Sequence, residues 1–205
     1  VDPAGMKWGG SGGTDLTKKG ATVTVNVFAR VSMYGLVAPS ASTTTLYGSW
    51  GSTQDETMIG GISVNGVDQA TPEGTQATAT GTNSNPTVNV TTAVDDFVVD
   101  VMMTFDNNFA GGLSITAGAG QTKRQEQLNI GNADCFGMST EVATGASTTM
   151  SWTIAPPANN NWGMLALPLK PDTGGGGGGG GGGNYGGRIN SRPVRQRPFA
   201  PGVAR

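Results

Sequence analysis

Thr22-Val23-Thr24-Val25-Asn26-Val27-Phe28 and Thr87-Val88-Asn89-Val90-Thr91 alternate polar and apolar residues with a period of two. That period sets the valines on one face of an extended strand, and it leaves no apolar stripe if the same residues are wound into a helix. Further segments rich in β-branched and aromatic residues follow at 30–37 (RVSMYGLV), 43–50 (TTTLYGSW), 57–64 (TMIGGISV), 97–105 (FVVDVMMTF), 112–117, 137–142, 148–154 (TTMSWTI) and 162–169 (WGMLALPL). Turn formers separate them: Pro39-Ser40, Asn65-Gly66, Thr71-Pro72, Asp106-Asn107-Asn108, and Pro156-Pro157 with Asn159 to Asn161. No Leu/Glu/Lys/Ala-rich stretch long enough for a crossover helix lies between them, and charged residues make up only 13% of the chain. The expected fold is all-β: an antiparallel two-sheet sandwich, jelly-roll-like, over residues 1–173. Alternation predicts a core of Val23, Val25, Val27, Val88, Val90, Val99, Val101, Trp152, Leu165 and Leu167, with FVVDV contributing from both sides.

The pattern stops at Thr173. Residues 174–183 are ten consecutive glycines, and Asn184-Tyr185-Gly186-Gly187 extends them. Glycine loses the most entropy on ordering, so 174–187 is a linker. It is no phosphate loop, because no GK[ST] follows. Residues 188–205 (RINSRPVRQRPFAPGVAR) form a basic extended tail, whose prolines at 193, 198 and 201 exclude helix. All 14 acidic residues and seven of the 12 basic ones precede residue 174, which leaves the body at −7 and the tail at +5. Opposite charge on two parts of one chain points to an electrostatic partner for the tail. Arg188, Arg192, Arg195 and Arg197 are the expected cationic contacts, with Ile189 and Phe199 as apolar anchors. Five arginines without interleaved stacking aromatics do not suggest nucleic acid.

Residue chemistry narrows the function. The chain has no histidine, which removes Ser-His-Asp and Cys-His nucleophile pairs, His-ligated zinc and the usual general base. Cys135 is the only cysteine, so neither an internal disulfide nor a CxxC site is available, and its neighbours Phe136 and Met138 suggest a buried thiol. An intermolecular disulfide is the alternative. No apolar run approaches the ~20 residues of a membrane-spanning helix. The chain opens on Val1-Asp2-Pro3 rather than Met, which suggests a processed product or a start further upstream.

In order, YGLVAPSASTTTL (34–46), ISVNGVDQATPEGT (62–75), DDFVVDV (95–101), STTMSWTI (147–154) and WGMLALPLKP (162–171) resemble a β-sandwich domain. That domain occurs in bacteriophage virion and surface proteins and in secreted bacterial proteins, with a pattern running "WYLVAP", "GVDQTTP", "DLVVDV", "TMSWT", "ALALKP". The resemblance covers about residues 30 to 171 and implies the sandwich fold, with a virion-surface or extracellular location. Such domains open with one or two apolar strands before a segment like Met6-Lys7-Trp8-Gly9-Gly10…Asp15-Leu16-Thr17. The resemblance therefore implies that an opening strand is missing and that a sheet edge is left for another chain.

Four groups are candidate sites. The best candidate for general acid–base work is a carboxylate pair among Asp95, Asp96 and Asp100, against a turn and a solvated strand face. Asp106-Asn107-Asn108 offers oxygens to Ca²⁺, the one ion the sequence suggests, but it lacks the spacing of a calcium loop. Trp152 and Trp162 sit in apolar strands and read as core. Trp8 and Trp50 lie among glycines and serines, where sugar stacking is conceivable. The reading favoured on these grounds is a non-catalytic structural subunit that binds copies of itself or a larger particle such as a capsid, as a decoration or fibre protein or a filament. A secreted glycan-binding module is the second reading, and a two-carboxylate glycosidase the third.

Overall fold

The computed structural model describes residues 2–25, 29–39, 44–54, 56–105, 114–129, 134–156 and 160–173. Its strands are Gly5–Trp8 (β1), Thr14–Asp15 (β2), Thr17–Thr24 (β3), Arg30–Gly35 (β4), Leu46–Ser49 (β5), Ala77–Gly81 (β6), Thr87–Thr91 (β7), Phe97–Phe105 (β8), Ser114–Ala117 (β9), Thr122–Asn129 (β10), Asp134–Val142 (β11), Ser147–Ala155 (β12) and Asn161–Leu169 (β13). Every strand pair is antiparallel. Among the described residues there is no helix.

A five-stranded sheet, β10-β11-β8-β13-β6, runs through the middle. The sheet β7-β12-β9 packs on one of its faces, and the two together make the expected sandwich. Val98 and Met102 of β8, Cys135 of β11, and Trp162, Met164 and Ala166 of β13 meet Val88, Val90, Met150, Trp152 and Ile154 there. The opposite face is covered too. Val99 and Val101 of β8, Phe136 and Met138 of β11, and Leu165 of β13 pack under Val23 and Val31 of the β3–β4 hairpin, with Met58 and Ile62 alongside. A third layer thus lies over the sandwich, and the central strands are apolar on both faces. This accounts for FVVDVMMTF, whose apolar residues at both odd and even positions would be wasted on a half-exposed strand.

Two glycines let the outer layers close on the sheet. A Cβ on Gly137 would stand 2.7 Å from Ile115 Cδ1 and 2.8 Å from Trp152 Cη2. One on Gly163 would stand 2.7 Å from Val23 Cγ1 and 2.9 Å from Val25 Cγ2. Each missing side chain is the space that its facing layer occupies.

β7 and β8 match the expected 87–91 and 97–105, β12 exceeds 148–154 by one residue at each end, and β13 exceeds 162–169 by one residue at its start. The first hairpin strand lies earlier than expected, at Thr17–Thr24. Residues 57–64 form no strand. They lie as an extended segment held by side chains of β10, with the Gly61 amide donating to Gln125 Oε1 at 3.0 Å and Gln127 Nε2 donating to the Ile59 carbonyl at 3.2 Å. Of the expected core, Val23, Val88, Val90, Val99, Val101, Trp152, Leu165 and Leu167 are buried and Val25 is half-buried, while Val27 lies outside the described residues. β1 is paired on both sides, by β2 and β5. The outer strands of the large sheet are β6 and β10.

Candidate functional site

The carboxylates proposed for acid–base chemistry are not gathered into a cleft. Asp100 was expected on a solvated strand face. It lies instead wholly inside the sandwich, because even-numbered residues of β8 point toward β7-β12-β9. Its Oδ1 accepts from the Ser139 amide (2.8 Å) and hydroxyl (2.6 Å), and its Oδ2 accepts from Trp152 Nε1 (2.7 Å). Gln121 Nε2 donates to Ser139 Oγ at 2.6 Å, and Gln121 Oε1 accepts from the Ser151 amide at 2.7 Å. The network ties β8, β11 and β12 together through the core. Burial pushes the Asp100 carboxyl up to about 6, against the pull of its donors. Its acceptor sites are already taken by protein donors, which leaves it little capacity for a reacting group.

Asp95 and Asp96 sit in a turn, as expected. The Asp96 amide donates to the Ala93 carbonyl (3.2 Å), and its Oδ2 accepts from the Ala93 amide (2.8 Å). Asp95 has φ +71°, a left-handed conformation that Asp tolerates better than most residues. The turn is fastened to the end of β11. The Asp95 amide donates to the Ala143 carbonyl at 2.9 Å, and the Ala143 amide donates to the Asp96 carbonyl at 2.8 Å. Thr92 Oγ1 adds a bond to the Gly145 carbonyl at 2.7 Å. Two residues before Ala143 stands Glu141, whose Oε2 is buried with no hydrogen-bond partner among the described residues and whose carboxyl is raised by desolvation.

Trp8 and Trp50 share one face of the sheet β2-β1-β5, together with Met6, Leu46 and Gly48, as the pairing Trp8↔Leu46 and Met6↔Gly48 requires. Both tryptophans are half-buried, and Trp8 Nε1 has no partner among the described residues. A Cβ on Gly61 would lie 2.5 Å from Leu46 Cδ1, so this face rests against the 57–64 segment. Trp152 and Trp162 are core residues. Cys135 is fully buried and free, with its thiol pKa pushed well up by desolvation. One carboxylate pair was missed by sequence reasoning. Burial and the neighbouring Glu56, which hydrogen-bonds to it, push Asp134 up to about 7. The two residues are far apart in sequence and neither lies in a motif, so no local signal joins them. Among the described residues no group of three or more Cys, Asp or Glu side chains is placed to hold a metal ion. Among them there is no helix long and apolar enough to cross a membrane. Arg188, Ile189, Arg192, Arg195, Arg197 and Phe199, and the loop Asp106-Asn107-Asn108, lie outside the described residues.

By its layers and pairing the body belongs to the antiparallel β-sandwiches. Among solved structures it is similar to a chain of the tripod from the baseplate of bacteriophage Tuc2009, at 13% sequence identity and a TM-score of 0.29, with 66% of this chain and 84% of that chain covered. A likeness of that size carries no statement about partners or chemistry. No family model and no curated protein matches the chain, so the motif resemblance stands as a resemblance.

Proposed function

We propose that this protein is a non-catalytic structural subunit that assembles with copies of itself or with a larger particle, as a virion decoration or fibre protein or an extracellular filament subunit. The observation that carries the reading is the division of charge, with −7 on the body before residue 174 and +5 on the tail after it. A rigid, doubly covered sandwich joined by ten glycines to a basic, proline-punctuated arm is built to be held by a neighbour rather than to turn over a substrate. The chemistry left to the body supports the same reading. Histidine is lacking, the one thiol is buried, and the best-placed carboxylate is consumed by three internal donors. Ten glycines span at most ~35 Å, enough to reach across to another subunit. Each exposed ion pair adds at most about 1 kcal/mol, so the arm needs repetition and its apolar anchors to hold. Sedimentation velocity of the full chain over rising concentration, with electron microscopy of the heaviest fractions, tests the proposal. Growing oligomers that shrink in high salt are expected. A monomer at every concentration, with no particle that binds it, overturns it.

A further inference from the structure

We infer that Glu56 and Asp134 form a proton latch: a hydrogen-bonded acid–carboxylate pair that holds residues 56–62 down on the central sheet and lets them go when its shared proton is lost. The inference goes beyond the assembly reading and does not depend on it.

Position carries the argument. Asp134 opens β11, and strand parity sets it on the same face as Phe136 and Met138. It is only 6% exposed, and its Oδ1 has no hydrogen-bond partner among the described residues. The extended segment 57–64 lies over that face. Met58 and Ile62 pack onto the cluster that holds Phe136 and Met138, and a Cβ on Gly60 would stand 2.6 Å from Phe136 Cε1. Glu56 precedes these residues with the same parity, and it meets Asp134 in a hydrogen bond. Two carboxyl groups can share such a bond only while one of them keeps its proton. Further along, the segment is held by the two glutamines of β10, through the Gly61 amide and the Ile59 carbonyl. Neutral bonds of this kind add little net stability, so the pair at the start of the segment has leverage over it.

The surroundings do nothing to relieve a second negative charge. Apart from burial, only Glu56 acts on the Asp134 carboxyl, and both raise it, to about 7. β8 and β10 set the uncharged residues Phe105 and Asn129 beside Asp134. Glu126 of β10 has the opposite parity and is ion-paired with Lys123, and Arg124 donates to Thr140 Oγ1 toward the other end of β11. Asp100 of β8 points to the other layer, and Glu141 of β11 has the parity of that layer. Glu56 is the only titratable residue of 56–64. Asp55 and Asp106, next in sequence to Glu56 and Phe105, lie outside the described residues and are acids too.

The latched state therefore binds one proton more than the open state between about pH 4 and about pH 7. Raising the pH through that window favours opening, by up to about tenfold per unit, and the effect is flat above it. Release lifts Met58 and Ile62 and uncovers Phe136 and Met138, so an apolar strip of β11 is presented as the pH approaches neutrality.

Amide hydrogen exchange at Gly61 in the full chain reads the opening, once corrected for the intrinsic pH dependence of exchange and with a chelator present. Its protection is expected to fall by roughly tenfold or more from pH 5 to pH 7.5. Asp134→Asn gives Glu56 a donor at every pH, and Glu56→Gln gives one to Asp134. In both variants Gly61 protection should stay constant over that range, and either suffices if the other fails to fold. Asp100→Asn alters the other buried carboxylate, which faces the opposite layer, and should leave the response in place. A response that survives in the latch variants, or equal protection at both pH values in the unaltered chain, overturns the inference. So does closure at pH 7.5 brought about by added calcium alone, which would make the pair a cation site and not a proton switch.

Discussion

Asp100 is a carboxylate wholly buried in the core, and its consequences are measurable. Its carboxyl titrates near 6 in the folded chain and near 3.8 when unfolded. Between those values the native state binds more protons than the unfolded one, so stability falls as pH rises from about 4 to about 6 and is flat beyond. The difference is worth on the order of 3 kcal/mol. Asp134, raised to about 7, adds a slope of the same sign. Asp100→Asn isolates the first effect, because Asp134 is common to both chains. The amide sets an NH₂ group against a ring of donors and orphans either Trp152 Nε1 or the Ser139 amide. Urea unfolding is expected to show the variant about 1–3 kcal/mol less stable near pH 4.5. The gap should narrow toward pH 7, as only the unaltered chain loses its Asp100 contribution. A gap constant across that range would mean that Asp100 stays ionised throughout.

At the scale of elements, the two glycines of the central sheet control the two covering layers separately. Gly137→Ala drives a methyl into Ile115 and Trp152, and Gly163→Ala drives one into Val23 and Val25. Each is expected to cost about 1–3 kcal/mol in thermal or denaturant unfolding. Only the first should shift the fluorescence of Trp152, because only that layer contains it. The strands easiest to read from sequence were those whose own composition decides the matter: Thr87–Thr91 by strict alternation, and Phe97–Phe105 by continuous β-branched and large apolar residues. Thr122–Asn129 (TKRQEQLN) was missed because Lys, Arg, Gln and Glu favour helix locally, and an edge position in a sheet overrides them. Ala77–Gly81 was missed for lack of any large side chain, since its pairing with β13 supplies what its composition does not. Residues 57–64 look like a strand because they cover one, with backbone bonds going to glutamine side chains instead of a ladder. The candidate site was half legible. The Asp95-Asp96 turn follows from Asp preferences, whereas the direction in which Asp100 points depends on a partner layer that no local pattern reveals.

For the whole molecule, the described body carries two packed clusters of its own. Among the described residues the last one packed in either cluster is Leu169, and Asp2 holds the opposite terminus to the β3–β4 hairpin through Lys18 Nζ and Thr22 Oγ1, each at 2.7 Å. A chain stopped after Thr173 is therefore expected to keep the melting temperature of the full protein while assembling poorly. Calorimetry and sedimentation on the same preparation check both halves of that statement, and equal assembly by the shortened chain would make the tail a passive linker.

Covering a sheet on both faces removes the usual safeguard on strand alignment. Where one face meets water, sliding a strand by one residue turns its apolar set outward, and the penalty forbids the slip. β8 has no such face: displaced by one, Val98, Val99, Val101 and Met102 would still find hydrocarbon on either side. Asp100 breaks the tie. Its three donors come from Ser139 of the neighbouring strand β11 and from Trp152 of the covering sheet, on the side facing β7-β12-β9, whereas the opposite side is packed by apolar residues such as Val23, Val31, Met58 and Ile62. The single charge in the strand acts as an index mark, giving up some stability to fix one alignment among several that hydrophobicity alone would accept.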